Sequence, residues 1–156
     1  MEFKNQYAFL SNFYVLENGV TNGFGTFPTS ENAYQALKVL YCSEFKYIKK
    51  QDIIEKFKSY SPNRAKQIGK KISQLSHFSH EEWHLDSIRL MRSILKLKFQ
   101  QNPKLINQLL SIEDDIIEDN RWGDTFWGKC NGKGLNHLGQ LLMELREEFK
   151  NASLEM

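Results

Sequence analysis

The sequence predicts a mainly α fold with a small β part near the N-terminus, the α+β class. Three observations carry that prediction. Apolar residues recur at helical spacing over residues 80–99 and 135–149. Good N-cap residues, at Pro28-Thr29-Ser30 and at Ser79, stand immediately before helical patterns. The first 27 residues, by contrast, lack helical periodicity. There Phe9, Phe13, Phe24 and Phe27 punctuate Asn18-Gly19 and Asn22-Gly23-Phe24-Gly25, which read as turns between short strands.

In chain order, the pattern first turns helical after Pro28-Thr29-Ser30, from Glu31 to about Tyr41. Helical pieces follow at residues 44–58 and 63–73, broken at Ser59-Tyr60-Ser61-Pro62. Ser79 caps a long helix from His80 to about Phe99, with a core stripe of Trp83, Ser87, Leu90, Met91, Ile94 and Leu97. Asn102-Pro103 opens a shorter helix through Leu110. Residues 111–134 are acidic, then Gly-rich, with little periodicity. A last helix begins near Leu135 and places Leu138, Leu141, Leu142, Leu145 and Phe149 on one face, with Glu147 and Glu148 towards solvent. No repeat and no Pro-, Gly- or Ser-rich linker interrupts the chain, so residues 1–156 read as one compact domain.

Composition narrows the function classes. With 40% hydrophobic and 26% charged residues the chain is globular, neither disordered nor fibrous. No apolar run is long enough to span a bilayer, so no membrane partner is expected. Met1-Glu2-Phe3-Lys4 begins no signal peptide, and two cysteines, Cys42 and Cys130, make no disulfide framework; a reducing, cytoplasmic setting is expected. The net charge of +2 hides a cancellation. Residues 38–71 hold ten Lys/Arg against three Asp/Glu, whereas residues 111–124 hold six acids against Arg121. That polarity suits carboxylates acting on a ligand whose phosphates are held by the basic side. Twenty aromatics, three of them Trp, serve either to fill a core or to stack on flat rings.

Four stretches could carry chemistry. In Thr29-Ser30-Glu31-Asn32-Ala33-Tyr34-Gln35-Ala36-Leu37-Lys38, helical spacing puts Glu31, Tyr34 or Gln35, and Lys38 on one face. Glu31 then falls in the first turn, where the helix dipole favours an ionised carboxylate. In Glu118-Asp119-Asn120-Arg121-Trp122-Gly123-Asp124-Thr125-Phe126-Trp127-Gly128, carboxylates alternate with aromatic rings. Such a loop can set an acid or base beside a platform for a sugar or base, or simply be a surface turn anchored by its tryptophans. The Gly-rich run Gly128 to Gly139 precedes a helix and offers backbone N–H groups and Lys129 and Lys133 to an anion, without P-loop spacing. Finally, His80-Glu81-Glu82-Trp83-His84 matches the H-E-x-x-H zinc motif literally. Ser79 as cap leaves His80 in the fraying first turn, so no metal site is expected there, and His77 and His137 read as surface residues.

Taken together, these segments resemble the NADAR family, which includes N-glycosidases of riboflavin-biosynthesis intermediates. The resemblance is carried by Phe9-Leu10-Ser11-Asn12-Phe13-Tyr14, Thr29 to Lys38, Trp83, Lys98-Phe99, Glu118, Asp124-Thr125-Phe126-Trp127-Gly128, and Gly132-Lys133-Gly134-Leu135-Asn136-His137-Leu138-Gly139 through Leu142-Met143-Glu144-Leu145-Arg146. It implies a single NADAR-like domain that cleaves the C–N glycosidic bond between a ribose and an amine or base, with no cofactor. It further implies Glu31, Lys38 and Asp124 as catalytic residues, and Asn12, Tyr34, Gln35, Trp83, Glu118, Trp127, Gly134 and Asn136 as substrate-binding ones. The expected partner is ADP-ribosylated guanine, free or in DNA, or else a small phosphoribosyl substrate of the riboflavin route. The other classes are a module that binds ADP-ribose or NAD without turnover, and a zinc hydrolase. Two positions depart from the family pattern: Asn32 stands where His is commoner, and Lys70 follows Gly69 where Arg is commoner. Lys70 would hold a phosphate as a point charge, without bidentate geometry.

Overall fold

The computed structural model describes residues 1–155, the Tyr47 side chain excepted; Met156, the last residue of the expected domain, lies outside the described residues. The architecture is α+β and mainly helical. The chain packs as two compact units, residues 12–102 and residues 1–11 with 103–156.

The unit of residues 12–102 opens with a hairpin, β1 (Val20–Asn22) and β2 (Gly25–Phe27), paired antiparallel in the register Val20↔Phe27, Thr21↔Thr26 and Asn22↔Gly25. The turn is the expected one: Asn22 Oδ1 accepts from Phe24 N–H at 2.8 Å, and Gly25 takes φ +113°, a conformation costly for a residue with a Cβ. Helix α1 (Ser30–Ala36) follows and tightens into a 3-10 turn at Leu37–Tyr41. The helix expected over residues 31–41 is therefore two joined pieces. Then come α2 (Tyr47–Lys56), α3 (Pro62–Ser73) and α4 (His80–Gln101). Pro62 at the first turn of α3 and the Ser61 and Ser79 side chains as caps account for both starts. At the far end of α4, Asn102 donates to Gly19 O and Lys98 O and accepts from Asn18 N–H, tying hairpin to helix.

The buried face of α4 differs from the expected stripe. Ser87, Met91, Ile94, Leu95, Lys98 and Phe99 are buried, while Trp83, Leu90 and Leu97 are half-buried. A rotation of the stripe by one position brings a lysine into the core. Lys98 is completely buried, and burial pushes its ammonium down to about 7.

In the unit of residues 1–11 and 103–156, a 3-10 turn at Asn5–Leu10 takes the place of the aperiodic segment read from sequence and buries Phe9 and Leu10. Helix α5 (Lys104–Leu110) packs on α6 (His137–Leu154), with Leu105, Leu109, Ile116, Leu138, Leu141, Leu142 and Leu145 buried. The aperiodic residues 111–134 hold a second small sheet, β3 (Asp119–Asn120) parallel to β4 (Lys129–Cys130), which the sequence did not announce. Phe149 and Glu148 are half-buried, and Glu147 is exposed. No described helix is long and apolar enough to cross a membrane.

Candidate active site

Helix α1 is buried along its whole length although four of its seven residues are polar. A helix without a solvated face must pair its polar groups internally, and among the described residues α1 does so with the exception of Gln35 Oε1. Thr29 Oγ1 accepts from Asn32 N–H at 3.1 Å as the N-cap. Ser30 Oγ donates to Asn12 Oδ1 at 2.8 Å, and Asn12 O accepts from Glu31 N–H at 2.9 Å. Asn32 donates to Phe57 O and Tyr60 O at 2.8 and 2.7 Å, satisfying carbonyls left over at the end of α2. That gives Asn32 a structural task. Glu31, 7% exposed, accepts from Gln35 Nε2 at 2.9 Å across one helical turn.

Lys38 lies in the 3-10 turn that continues α1, half-buried. Burial pulls its pKa down to about 8, against the opposing pull of the Glu31 charge. Its Nζ stands 5.7 Å from the centre of the Trp83 ring. The indole is itself held by neighbours: Tyr34 at 5.1 Å, Tyr41 edge-on at 5.2 Å and Phe78 at 6.2 Å. Tyr41 donates to Asp86 Oδ2 at 2.6 Å; burial and that bond raise its hydroxyl to about 12, and the bond lowers the Asp86 carboxyl. Asn12, Glu31, Tyr34, Gln35, Lys38 and Trp83 thus all belong to the unit of residues 12–102. Tyr41 and Asp86 were not singled out from sequence, because their pairing is long-range and carries no spacing signal.

The remaining expected residues, Glu118, Asp124, Trp127, Gly134 and Asn136, belong to the other unit. There they form a hydrogen-bonded loop system. Asp124 Oδ1 accepts from Phe126 N–H at 3.0 Å and Trp127 N–H at 2.9 Å, while Asn120 brackets the backbone of Asp124 from both sides. Asn136, in the left-handed region at φ 54°, donates to Ile116 O and accepts from Glu118 N–H, both at 3.0 Å. The Glu118 side chain is 5% exposed and lies against Gly128, where any Cβ would strike its Oε2. Gly134, at φ +146°, lies close to Thr125 and Gly128.

At the helix end of the Gly-rich run the backbone N–H groups are taken up by the chain's own carbonyls. Those of Leu135, Asn136, His137 and Leu138 donate to the carbonyls of Thr125, Gly128, Phe126 and Trp127. Trp122 is 64% exposed, and His137 packs on Phe126 at 4.6 Å instead of lying free on the surface. In the H-E-x-x-H stretch, Ser79 caps α4 and His80 is the first helical residue, its ring edge-on to Phe78 at 5.0 Å. Among the described residues no three His, Cys, Asp or Glu side chains group as a metal site.

Fold and cluster together define an α+β protein with a carboxylate on a buried helix and a lysine of lowered pKa in the turn that continues it. Comparison with known proteins makes this more definite: the model of the NADAR domain family matches residues 1–150, and the chain belongs to that family. It is 35% identical over 136 residues to a maize protein named riboflavin biosynthesis protein PYRR, chloroplastic, covering 85% of this chain but 21% of that one. It is 33% identical over 128 residues to the N-glycosidase YbiA of Shigella boydii, covering 80% of this chain and 71% of that one. The NMR structure of the E. coli protein YbiA superposes with a TM-score of 0.78 at 31% identity, covering all of this chain and 88% of that one. The chain therefore spans about a fifth of the maize relative's length.

Proposed function

We propose that the chain is an N-glycosidase that hydrolyses the C–N bond between a phosphate-bearing ribose and a base, with ADP-ribose on guanine in nucleic acid as the favoured substrate. The observation that carries this reading is Lys38. Its amine has a pKa brought to about 8 by burial, feels the opposing charge of Glu31 and faces the Trp83 ring. A lysine so tuned has an appreciable neutral fraction near pH 7 and can act as a nucleophile.

The neutral amine attacks the anomeric carbon as the bond to the base breaks. Glu31 takes the proton from the attacking nitrogen, and the departing base nitrogen takes one from water. Opening of the ribose ring turns the resulting glycosylamine into an imine, its ring oxygen becoming a hydroxyl with a proton from solvent; water adds to the imine, releasing Lys38 and the sugar aldehyde, which recloses. Positive charge develops on the sugar throughout, where an ionised Glu31 lowers its energy. Trp83 supplies a flat wall for the base or sugar. For Asp124, in the other unit, the family resemblance implies a further task in catalysis, beyond the turn that its Oδ1 holds.

The favoured substrate is supported by α3. Its exposed residues include Arg64, Lys66, Lys70 and Lys71, and the helix contains no acid. A face of that kind suits a polyanion better than a single phosphate. The second reading, a phosphoribosylamine pyrimidine of riboflavin biosynthesis, is favoured by the maize relative's being named a riboflavin biosynthesis protein. Assay of the purified protein on both substrates separates them. Release of ADP-ribose from ADP-ribosylated oligonucleotide with the guanine restored in the strand, weakened by added salt, is expected; cleavage of the pyrimidine ribosylamine alone would overturn the preference, and cleavage of neither would overturn the glycosidase reading.

A further inference from the structure

Gln35 has an environment that its sequence position does not announce. Its amide nitrogen donates to Glu31 Oε1 at 2.9 Å, and its Oε1 is buried with no hydrogen-bond partner among the described residues. That oxygen rests on α3 at Gly69, the one place on the helix where such an approach is open. A Cβ at Gly69 would collide with Gln35 Oε1 and stand 2.7 Å from Cδ. The bare Cα of glycine offers the oxygen a C–H contact, a weak but favourable neighbour for an acceptor. The reversed amide would put two oxygens face to face at Glu31 and turn an NH2 group towards a carbon that accepts nothing. It could hold only if Glu31 were protonated.

We propose that Gly69 is a positioning residue. By seating the Gln35 carbonyl against its Cα, it fixes the amide in the orientation that donates to Glu31. That assigns Glu31 the ionised role, as base and stabiliser of positive charge, and not the role of acid. The charged neighbour acting with it is Lys38, whose own amine feels the Glu31 charge. From α3 the buried residues are Ala65, Gly69 and Ile72, while Lys66 and Lys70 are exposed; α4 contributes the aromatic Trp83 and, at Asn12, Met91. The catalytic meaning of this assignment rests on the N-glycosidase reading; the geometry of the seat does not.

The test is titration of the Glu31 side chain in protein labelled with 13C-glutamate, read by NMR. Gln35→Met and Gly69→Ala are each expected to raise its midpoint by about one pH unit, the loss of one hydrogen bond to the charged form. In the double variant Gly69→Ala should add nothing, because it acts only through the amide. A midpoint unmoved by a folded Gly69→Ala, or shifts that add in full, would overturn the proposal. If Gly69→Ala fails to fold, Gln35→Met decides: an unmoved midpoint there is equally fatal. Turnover is measured in parallel. A wild-type protein that shows the expected titration but no turnover contradicts the glycosidase reading and leaves the seat intact.

Discussion

Glu31 and Asp124 are both carboxylates implied in the same chemistry, yet they are held in different ways. Glu31 is buried on a helix, touched by an amide, and electrostatically coupled to a lysine two turns along. Asp124 lies in a loop, and one of its oxygens is bound to two backbone N–H groups of its own turn. The first arrangement tunes protons and charge; the second fixes a backbone. A carboxylate's position in a motif therefore does not tell which task it performs, whereas its partners do.

The comparison breaks most directly at Lys38. Lys38→Met should lower turnover on the order of 10³-fold or more while leaving the fold intact, since the proposed reading makes the side chain a nucleophile and not a core member. In the wild-type protein the rate should fall about tenfold per unit as pH drops below about 8, where the amine becomes protonated, and level off above it. Glu31→Gln should move that midpoint lower still, because the Glu31 charge is what opposes burial in setting it.

Asp124 sharpens the other side. Asp124→Ala removes the acceptor for Phe126 and Trp127 N–H and should cost about 1–3 kcal/mol of unfolding free energy. Asp124→Asn keeps an Oδ1 acceptor and should recover most of that stability in urea denaturation. Activity lost in Asp124→Asn at full stability would show a chemical task in addition to the structural one. Activity kept would leave Asp124 a turn residue.

The smallest effect concerns Lys98, in the same unit as Glu31 but outside the cluster. Its pKa in the folded protein, about 7, lies below the ordinary 10.5. Between those values the unfolded chain binds the extra proton, so stability rises with pH across that window. Lys98→Met should flatten the rise in Tm between pH 7 and pH 9.5, though not abolish it, since Lys38 contributes in the same direction above about pH 8.

What the sequence made legible was local. The Ser79 cap, the Pro62 start, the Asn22–Gly25 turn and the grouping of Glu31, Gln35 and Lys38 all follow from spacings within two helical turns. What it concealed was long-range or too short to leave a period. The Tyr41–Asp86 bond joins residues 45 apart, Gly69 meets Gln35 from another helix, and β3 and β4 are two residues each. The burial of Lys98 leaves no trace in the helical pattern, because an apolar stripe is made of apolar residues and a buried lysine breaks that rule. In the Gly-rich run, glycines permit close approach to an anion or to the chain's own carbonyls, and for the N–H groups of residues 135–138 the partners are carbonyls.

The most direct measurement is reduction with borohydride during turnover, followed by mass spectrometry of the protein. Trapping of the imine should leave a ribose-derived adduct on Lys38, absent from Lys38→Met and from protein without substrate. Full turnover with no adduct, together with wild-type activity in Lys38→Met, would contradict the assignment of Lys38 and Glu31 as the reacting pair.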